Sequence, residues 1–311
     1  MKTMESIGAE LEYTLGQFRL RFTTDAELYE WMGPTFRGAL GRSIRDIVCL
    51  NSNMKNCEDC KRRDDCLYYC LYEQKRSLRG HTSPPKPVIL IPPYLGKKED
   101  RIFKKGSELC LDFLTLGKFN KYIPHLILSL QKAGEYGVGN ARHLGKNKFE
   151  IVEGKVLWED KPFYENGRIN LSYYTAKNLK DIKPIEGKKI KVKFKTPFGG
   201  LQIPLTMERY LFYTKNRIIR YVNEYGNRGF VPGDVKKGEK IMGSPVYVKK
   251  RVLKRRSARS NKDRFIGYLG EVEYRIGDLG DAERWLIGVS EFFGLGPNSS
   301  FGMGFVELMK Y

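Results

Sequence analysis

The chain has little of what several classes of protein require. Only 3 of its 311 residues are histidine. No apolar run approaches the roughly 20 residues of a membrane-spanning helix. Residues 1–12 carry acidic side chains where a secretory signal would have an apolar core. We therefore expect a cytoplasmic protein without a membrane partner.

Acidic residues are the second deficit. Lys and Arg total 56 against 36 Asp and Glu, which gives a formal net charge of +20. This imbalance favours a polyanionic partner, and nucleic acid is the stronger interpretation because no amphipathic membrane helix stands out. A charged surface of the thermophile kind is the alternative, but it does not require so large an excess. Hydrophobic residues make up 41% of the chain, enough for the core of one large domain or two ordinary ones.

Four of the six cysteines fall close together in a polar segment. They are Cys57, Cys60, Cys66 and Cys70. The first pair has metal-knuckle spacing, and four thiolates can hold a structural zinc ion or, second in preference, an iron–sulfur cluster. Unligated thiols are the alternative, whereas a disulfide framework is disfavoured without a secretory signal.

Hydrophobic periodicity predicts the same order of elements twice. Alternating residues from Leu11 to Phe22 indicate a strand, with a bulge expected at Gly16 where the alternation shifts. A strand–helix–strand–strand–helix–strand order follows in each half, which is typical of an α+β, ferredoxin-like domain. We predict two such domains in tandem, at residues 1–160 with a cysteine insertion at about 51–80, and at residues 188–311 after a linker at 161–187.

A glycine-rich loop near the C-terminus and a basic run before it form the first candidate RNA-binding surface. Glycine permits positive φ and close approach, and free N–H groups in such a loop can face phosphate oxygens. Lysine and arginine in the run would release counterions from a nucleic acid. The loop candidates are Gly294, Gly296, Asn298, Ser299, Ser300, Gly302 and Gly304, and those of the run are Lys249, Lys250, Arg251, Lys254, Arg255, Arg256 and Arg259. A tight turn and a solvated hairpin are the alternatives.

The predicted first helix, opened by Gly33-Pro34, carries a further basic group. Arg37, Arg42 and Arg45 lie off its apolar face. They predict a phosphate-facing surface, with a solvated charged face as the alternative.

Two ferredoxin-like halves with a terminal glycine-rich loop of this spacing resemble the RAMP superfamily of CRISPR-associated proteins. Within it, the chain is similar to the endoribonucleases that process CRISPR repeat RNA, in the branch with a cysteine-bearing N-terminal half. Four blocks carry this likeness: Phe36–Gly41, the cysteine segment with Tyr68, Lys86–Leu90, and Arg256 through Gly270.

The resemblance implies cleavage within the repeats of a precursor transcript, without a metal for the chemistry. A base deprotonates the ribose 2′-hydroxyl, which attacks the neighbouring phosphorus, and an acid protonates the leaving 5′-oxygen. The products are a 2′,3′-cyclic phosphate and a 5′-hydroxyl. Cationic groups would stabilise the charge that builds on the phosphoryl oxygens.

The resemblance also assigns roles by position. His81 and Lys86 stand where relatives carry a catalytic histidine and lysine, and Arg37 would stabilise charge. His143 is a second candidate for contact with RNA, and His125 is expected to be structural. The chain departs from the pattern in two places, because its first helix has no tyrosine and because Gly294 and Pro297 replace a histidine and a lysine at the loop.

Three functions therefore remain open. The first is the endoribonuclease. The second is a non-catalytic RAMP subunit that binds guide or repeat RNA beside other CRISPR effector subunits, and the third is a zinc-stabilised nucleic-acid-binding protein. The expected assembly is a monomer or a homodimer.

Overall fold

The structure is a computed structural model that describes residues 10–51, 53–54, 56–75, 84–226, 241–254 and 264–310. The chain divides into two compact units. One is Thr14–Ala176, and the other combines Met1–Tyr13 with Lys177–Tyr311. Among the described residues, none of the helices combines the length and the apolar character needed to cross a membrane.

The first unit is an antiparallel sheet with two long helices. Its elements in chain order are β1 (Glu12–Phe22), β2 (Ala26–Glu27), α1 (Gly33–Val48), β3 (Val88–Ile91), β4 (Ile102–Phe103), β5 (Glu108–Leu116), α2 (Ile123–Tyr136), β6 (Phe149–Val156), β7 (Tyr164–Glu165) and β8 (Arg168–Ile169). The strands follow the order β3-β5-β1-β6-β7-β8, and β2 pairs separately with β4. The part β1-α1-β3-β5-α2-β6 has the connectivity and strand order of a ferredoxin-like domain, which confirms the predicted fold.

The second unit repeats this arrangement. Its elements are β9 (Lys177–Asn178), β10 (Lys189–Phe194), α3 (Met207–Tyr225), β11 (Ser244–Lys254), β12 (Arg264–Arg275), α4 (Asp281–Phe293) and β13 (Val306–Lys310). The sheet order β11-β12-β10-β13 matches the part β3-β5-β1-β6 of the first unit's sheet, strand for strand. The predicted tandem of two α+β, ferredoxin-like domains is therefore confirmed.

The segment expected to be a linker, residues 161–187, has structure of its own. Its first part lies in the first unit, where β7 pairs with β6 and β8 pairs with β7. Its second part lies in the other unit, where β9 pairs with the start of β1.

The bulge expected at Gly16 lies elsewhere. Burial alternates without interruption from Thr14 to Phe22. The ladder slips instead between Arg19 and Leu20, which pair with Glu153 and Ile151, so the additional residue is Val152 of β6. Gly16 has a packing role, because a Cβ there would lie 2.4 Å from the ring of Phe113.

Carboxylates balance much of the positive charge along the central strands. In the first unit Arg19 pairs with Glu108 and Glu153, at 3.0 and 3.3 Å. In the second unit Lys191 lies 3.8 Å from Glu273 and Lys193 lies 3.4 Å from Glu307. Two of the three alternating lysines of β10, Lys191 and Lys193, therefore meet carboxylates on the neighbouring strands.

Replacement of a helical glycine by alanine is expected to have opposite effects on stability at two positions. A Cβ at Gly134 in α2 would lie 2.1 Å from the carbonyl oxygen of Phe149, so Gly134→Ala must push the helix from β6. Overpacking of this kind costs about 1–3 kcal/mol of unfolding free energy. At Gly38 in α1 a Cβ would meet nothing within 4 Å, and alanine there should stabilise the helix by about 0.5–1 kcal/mol. Urea denaturation of both variants checks the two signs, and equal effects would contradict the close packing at Gly134.

Candidate nucleic-acid interface

One buried arginine organises the glycine-rich loop between α4 and β13. Arg217 of α3 donates hydrogen bonds to three loop carbonyls, those of Phe293 at 2.8 Å, Gly296 at 2.7 Å and Met303 at 3.1 Å. Its guanidinium also lies 5.8 Å from the ring centre of Phe305. Burial lowers the pKa of Arg217 to about 10, so the group is still charged at neutral pH. The cation thus binds both ends of the loop.

The loop glycines allow this close packing. Gly294 and Gly304 have φ values of 66° and 80°, a region that favours glycine. A Cβ at Gly294 would lie 2.6 Å from Arg217 Nη1, and one at Gly304 would lie 2.0 Å from the carbonyl oxygen of Leu295. These glycines are therefore required by the internal structure of the loop, whatever it binds.

Burial divides the predicted loop residues into two sets. Gly294, Gly302 and Gly304 are buried, and their N–H groups donate to carbonyls within the protein. The second set is half-exposed, and we call it the outer arc: Gly296, Asn298, Ser299 and Ser300. Of the predicted loop residues, only the outer arc is placed to meet a ligand.

The backbone of the outer arc resembles an anion-binding turn. Asn298 is left-handed with φ 62°, and Ser299–Phe301 form a turn of 3-10 helix. Successive N–H groups after such a change of hand can face one side and form a concave site for an anion. Among the hydrogen bonds of the described residues, none uses the N–H groups of Ser299 or Ser300. The two hydroxyls add further donors.

The basic strand β11 presents its predicted residues on two faces. Lys249 lies opposite Leu269 and Arg251 opposite Gly267, whereas Lys250 lies opposite Tyr268 and therefore points to the other side.

The Lys249 and Arg251 face leads towards the loop. Farther along the same face, Leu253 lies opposite Phe265, whose ring centre is 5.3 Å from that of Phe301. Lys254 ends the strand, and the predicted Arg255, Arg256 and Arg259 lie outside the described residues.

Two of the three arginines on α1 hold the cysteine segment in place. Arg37 stacks on Tyr72 with its Cζ 4.7 Å from the ring centre, and Arg45 stacks on Tyr68 at 5.8 Å. Both are half-buried, while Arg42 is exposed. Tyr72 also occupies the space over Gly41, where a Cβ would lie 2.7 Å from its ring. Of the three predicted arginines of this helix, Arg42 is the one that is exposed.

Arg42 has a neighbour that sequence reasoning missed. Arg142 follows the glycines after α2, and its pKa is lowered by burial and by the charge of Arg42. Two guanidinium groups near enough to repel each other attract an anion between them. The signal for it in the sequence is the Arg142-His143 pair that follows the glycines after α2. His143 is exposed next to Arg142.

The other predicted catalytic residues are described in part. His81 lies outside the described residues. Lys86 is half-buried, two residues before β3. His125 is exposed on α2 and packs edge-on against Tyr122 at 5.6 Å.

The structure does not support the zinc site that the spacing of the cysteines predicts. In the described part of the chain, no three His, Cys, Asp or Glu side chains are grouped to hold a metal ion. Cys57, Cys60, Cys66 and Cys70 are all half-exposed free thiols. Burial raises the pKa of the Cys70 thiol, opposed by Lys118. The structure therefore gives no support to zinc bound by these four residues.

Removing the buried cation should destabilise the second unit. Arg217→Met leaves the carbonyls of three loop residues without their donors, which should lower the unfolding free energy by about 3 kcal/mol. Arg220→Met is the matched control, because Arg220 is exposed one turn farther along α3 and should change stability by less than about 0.5 kcal/mol. Chemical denaturation measures both, and similar losses from the two variants would show that the loop does not depend on Arg217.

Comparisons with known proteins match this architecture. The N-terminal domain of the AF_1859 family matches residues 11–175, and its C-terminal domain matches residues 190–308. An uncharacterized protein of Archaeoglobus fulgidus is 32% identical over 300 residues, covering 96% of this chain and 98% of its own.

Solved structures show the same fold at low identity. Thermus thermophilus Cas6 aligns with a TM-score of 0.55 and 13% identity, covering 97% of this chain and 100% of its own. A RAMP protein binding different RNA substrates aligns with a TM-score of 0.53 and 13% identity, covering 96% and 100%. The chain thus belongs to the AF_1859 family, and its two units have the double ferredoxin-like fold of the Cas6 and RAMP proteins.

Proposed function

We propose that this protein is a metal-independent endoribonuclease that cleaves CRISPR repeat RNA in a precursor transcript. Attack by the ribose 2′-hydroxyl would leave a 2′,3′-cyclic phosphate and a 5′-hydroxyl and so release guide RNAs. The fold likeness to Cas6 proteins over almost the whole chain supports this reaction class. The resemblance of the sequence blocks to repeat-processing endoribonucleases supports the same class.

The observation that carries the proposal is the outer arc of the glycine-rich loop. It offers N–H and hydroxyl donors that the loop does not use internally, in the same unit as the basic strand β11. No ion pair among the described residues involves Lys249 or Lys250. Backbone donors and unneutralised lysines bind the phosphates of RNA without reading its bases, and they make the affinity depend strongly on salt.

The catalytic assignment is His81 as the general base, with Lys86, five residues later in the sequence, and Arg37 as stabilising charges. Arg37 would have to stabilise charge on the phosphate while its guanidinium stays stacked on Tyr72, which holds it beside α1. His143 is the second candidate base, because it follows Arg142 next to Arg42. That pair would hold a phosphate near an imidazole, the side chain that most often serves as a general base in enzymes.

A non-catalytic RAMP subunit that binds guide or repeat RNA is the second candidate function. It is favoured by the loop itself, where Gly294 is buried and Pro297 is exposed at the positions that carry a histidine and a lysine in relatives. Neither residue can transfer a proton. Such a subunit would act with other proteins of a CRISPR effector complex.

Cleavage of repeat RNA in EDTA separates the two functions. The substrate is an end-labelled RNA with the repeat of an array from the same genome, beside a copy with deoxyribose at the scissile position. We expect the full-length protein to cut the RNA and to leave the substituted copy intact, because the attacking hydroxyl is missing there. His81→Ala should slow single-turnover cleavage by about 10²–10⁴-fold, and His143→Ala is tested in parallel.

Each outcome has a defined meaning. Tight binding with neither strand cut would overturn the enzyme and leave the binding subunit. Cleavage of both strands would exclude attack by the 2′-hydroxyl. An unchanged rate in His81→Ala with a large loss in His143→Ala would move the base to the Arg42–Arg142 pair.

A further inference from the structure

We propose that the cavity beside the end of α1 receives one unpaired nucleotide of an RNA strand, with its base inside the cavity and the neighbouring phosphates along α2. The site rests on the proposed function only in so far as RNA is the ligand. It does not depend on whether the RNA is cleaved, and it lies within the first unit.

The cavity is large enough for a nucleobase and has apolar walls. Its volume is about 240 Å³, and it is lined by the end of α1, the cysteine segment and the start of α2. A water molecule takes about 30 Å³ in the liquid, so the space has room for a flat group of several heavy atoms. Val48, Met54 and Leu67 are among the apolar side chains of the lining. Such walls remove the faces of a base from water.

Aromatic rings line the cavity beside these apolar walls. The hydroxyl of Tyr69 donates a hydrogen bond to Glu58 at 2.8 Å, which holds its ring in place. Tyr122 packs edge-on against His125, with 5.6 Å between the ring centres. All three rings are part of the lining, and both tyrosines are half-exposed. Unpaired RNA bases stack on aromatic side chains of this kind.

Two polar side chains of the lining can meet the edge of a base. The side-chain amide of Asn51 donates to Cys60 Sγ at 3.7 Å. Among the hydrogen bonds of the described residues, none uses the side-chain oxygen of Asn51 or the carboxylate of Asp65. Both oxygens accept hydrogen bonds from amino groups, which adenine, cytosine and guanine carry and uracil lacks. We therefore expect a base with an amino group in the cavity.

Basic side chains continue from this side of the cavity along α2. Lys121, in the turn before the helix, places its Nζ 5.1 Å from the ring centre of Tyr122. Lys132 places its Nζ 5.9 Å from the ring centre of Tyr136, and Lys118 is exposed in the same turn as Lys121. Among the described residues, no ion pair involves any of these three lysines. Their charges are available to the phosphates that flank a bound base.

The exposed face of α2 favours a strand of RNA over a single free nucleotide. His125, Leu128, Lys132 and Tyr136 follow one another at steps of three and four residues, the spacing of one helix face. Leu128 is 52% exposed and Tyr136 48%. Surfaces that bind single strands combine rings, on which bases stack, with cations that follow the backbone. This face offers both beyond the cavity.

Acidic side chains decide on which side of the cavity the phosphates lie. Glu58, Asp59 and Asp64 belong to the cysteine segment. Arg63 of that segment lies 3.5 Å from Asp64 and donates to the carbonyl of Glu58 at 2.7 Å, so its charge is already engaged. We therefore expect the phosphates on the α2 side, at Lys121.

The test is photo-crosslinking of the full-length protein to a single-stranded cytidine decamer that carries 5-iodocytidine, with the joined peptides mapped by mass spectrometry. We expect crosslinks at Tyr69 and Tyr122. Tyr122→Ala should abolish the crosslink at α2 and weaken binding of the fluorescently labelled decamer about tenfold, the effect of losing one stacked base. Tyr173→Ala is the matched control and should change neither. Tyr173 lies in the same unit, with Lys161 Nζ 5.5 Å from its ring centre, but it does not line the cavity.

The crosslink map of the unmodified protein does not depend on how any variant folds. Crosslinks confined to the second unit would overturn the site, and so would an equal loss of affinity in Tyr122→Ala and Tyr173→Ala. Loss of the crosslink when CMP is added at the concentration of the decamer would overturn RNA as the source of the nucleotide. Cleavage takes no part in the readout, so a protein that cuts no repeat RNA but keeps the crosslink would support the site while overturning the endoribonuclease.

Discussion

The buried guanidinium of Arg217 is the constraint on which the second unit's candidate interface depends. It comes from the middle of α3 and binds carbonyls before and after the loop, which draws the loop's two ends together. A charge removed from water must be matched by acceptors around it, and three loop carbonyls supply them here. Side chains at Gly294 and Gly304 would occupy this space. The outer arc is exposed because the inner residues are committed to Arg217.

Charge is distributed unevenly over the two units. Along β1, β5 and β6, and again along β10, β12 and β13, basic side chains meet glutamates on neighbouring strands. Such exposed pairs contribute little to stability, but they cancel the field of those faces. Among the described residues, no ion pair involves Lys249, Lys250, Arg42 or Arg142. Basic side chains such as these keep their charge available to the phosphates of an RNA.

Local periodicity was sufficient to predict the fold. Apolar residues recur every two positions in a half-buried strand and every 3.6 positions in a helix. This sequence shows both patterns twice, in the same order. The long-range features could not be read in this way. Arg217 looks like any basic residue of an amphipathic helix, and its carbonyl partners lie more than 70 residues away. The sequence predicted Arg37 and Arg45 as phosphate contacts. Their tyrosine partners belong to an insertion, and the spacing of residues does not reveal where that insertion packs.

The central claim is that the outer arc of the loop binds RNA while the inner glycines hold it in place. Hydrogen–deuterium exchange of the full-length protein, with and without saturating repeat RNA, tests it most directly. The account predicts slower exchange at Asn298, Ser299 and Ser300 and along β11 when RNA is bound. It predicts no change at Leu295 and Gly304, whose N–H groups already donate to Gly304 and Pro197 carbonyls. Unchanged exchange at the outer arc in the presence of bound RNA would contradict the claim.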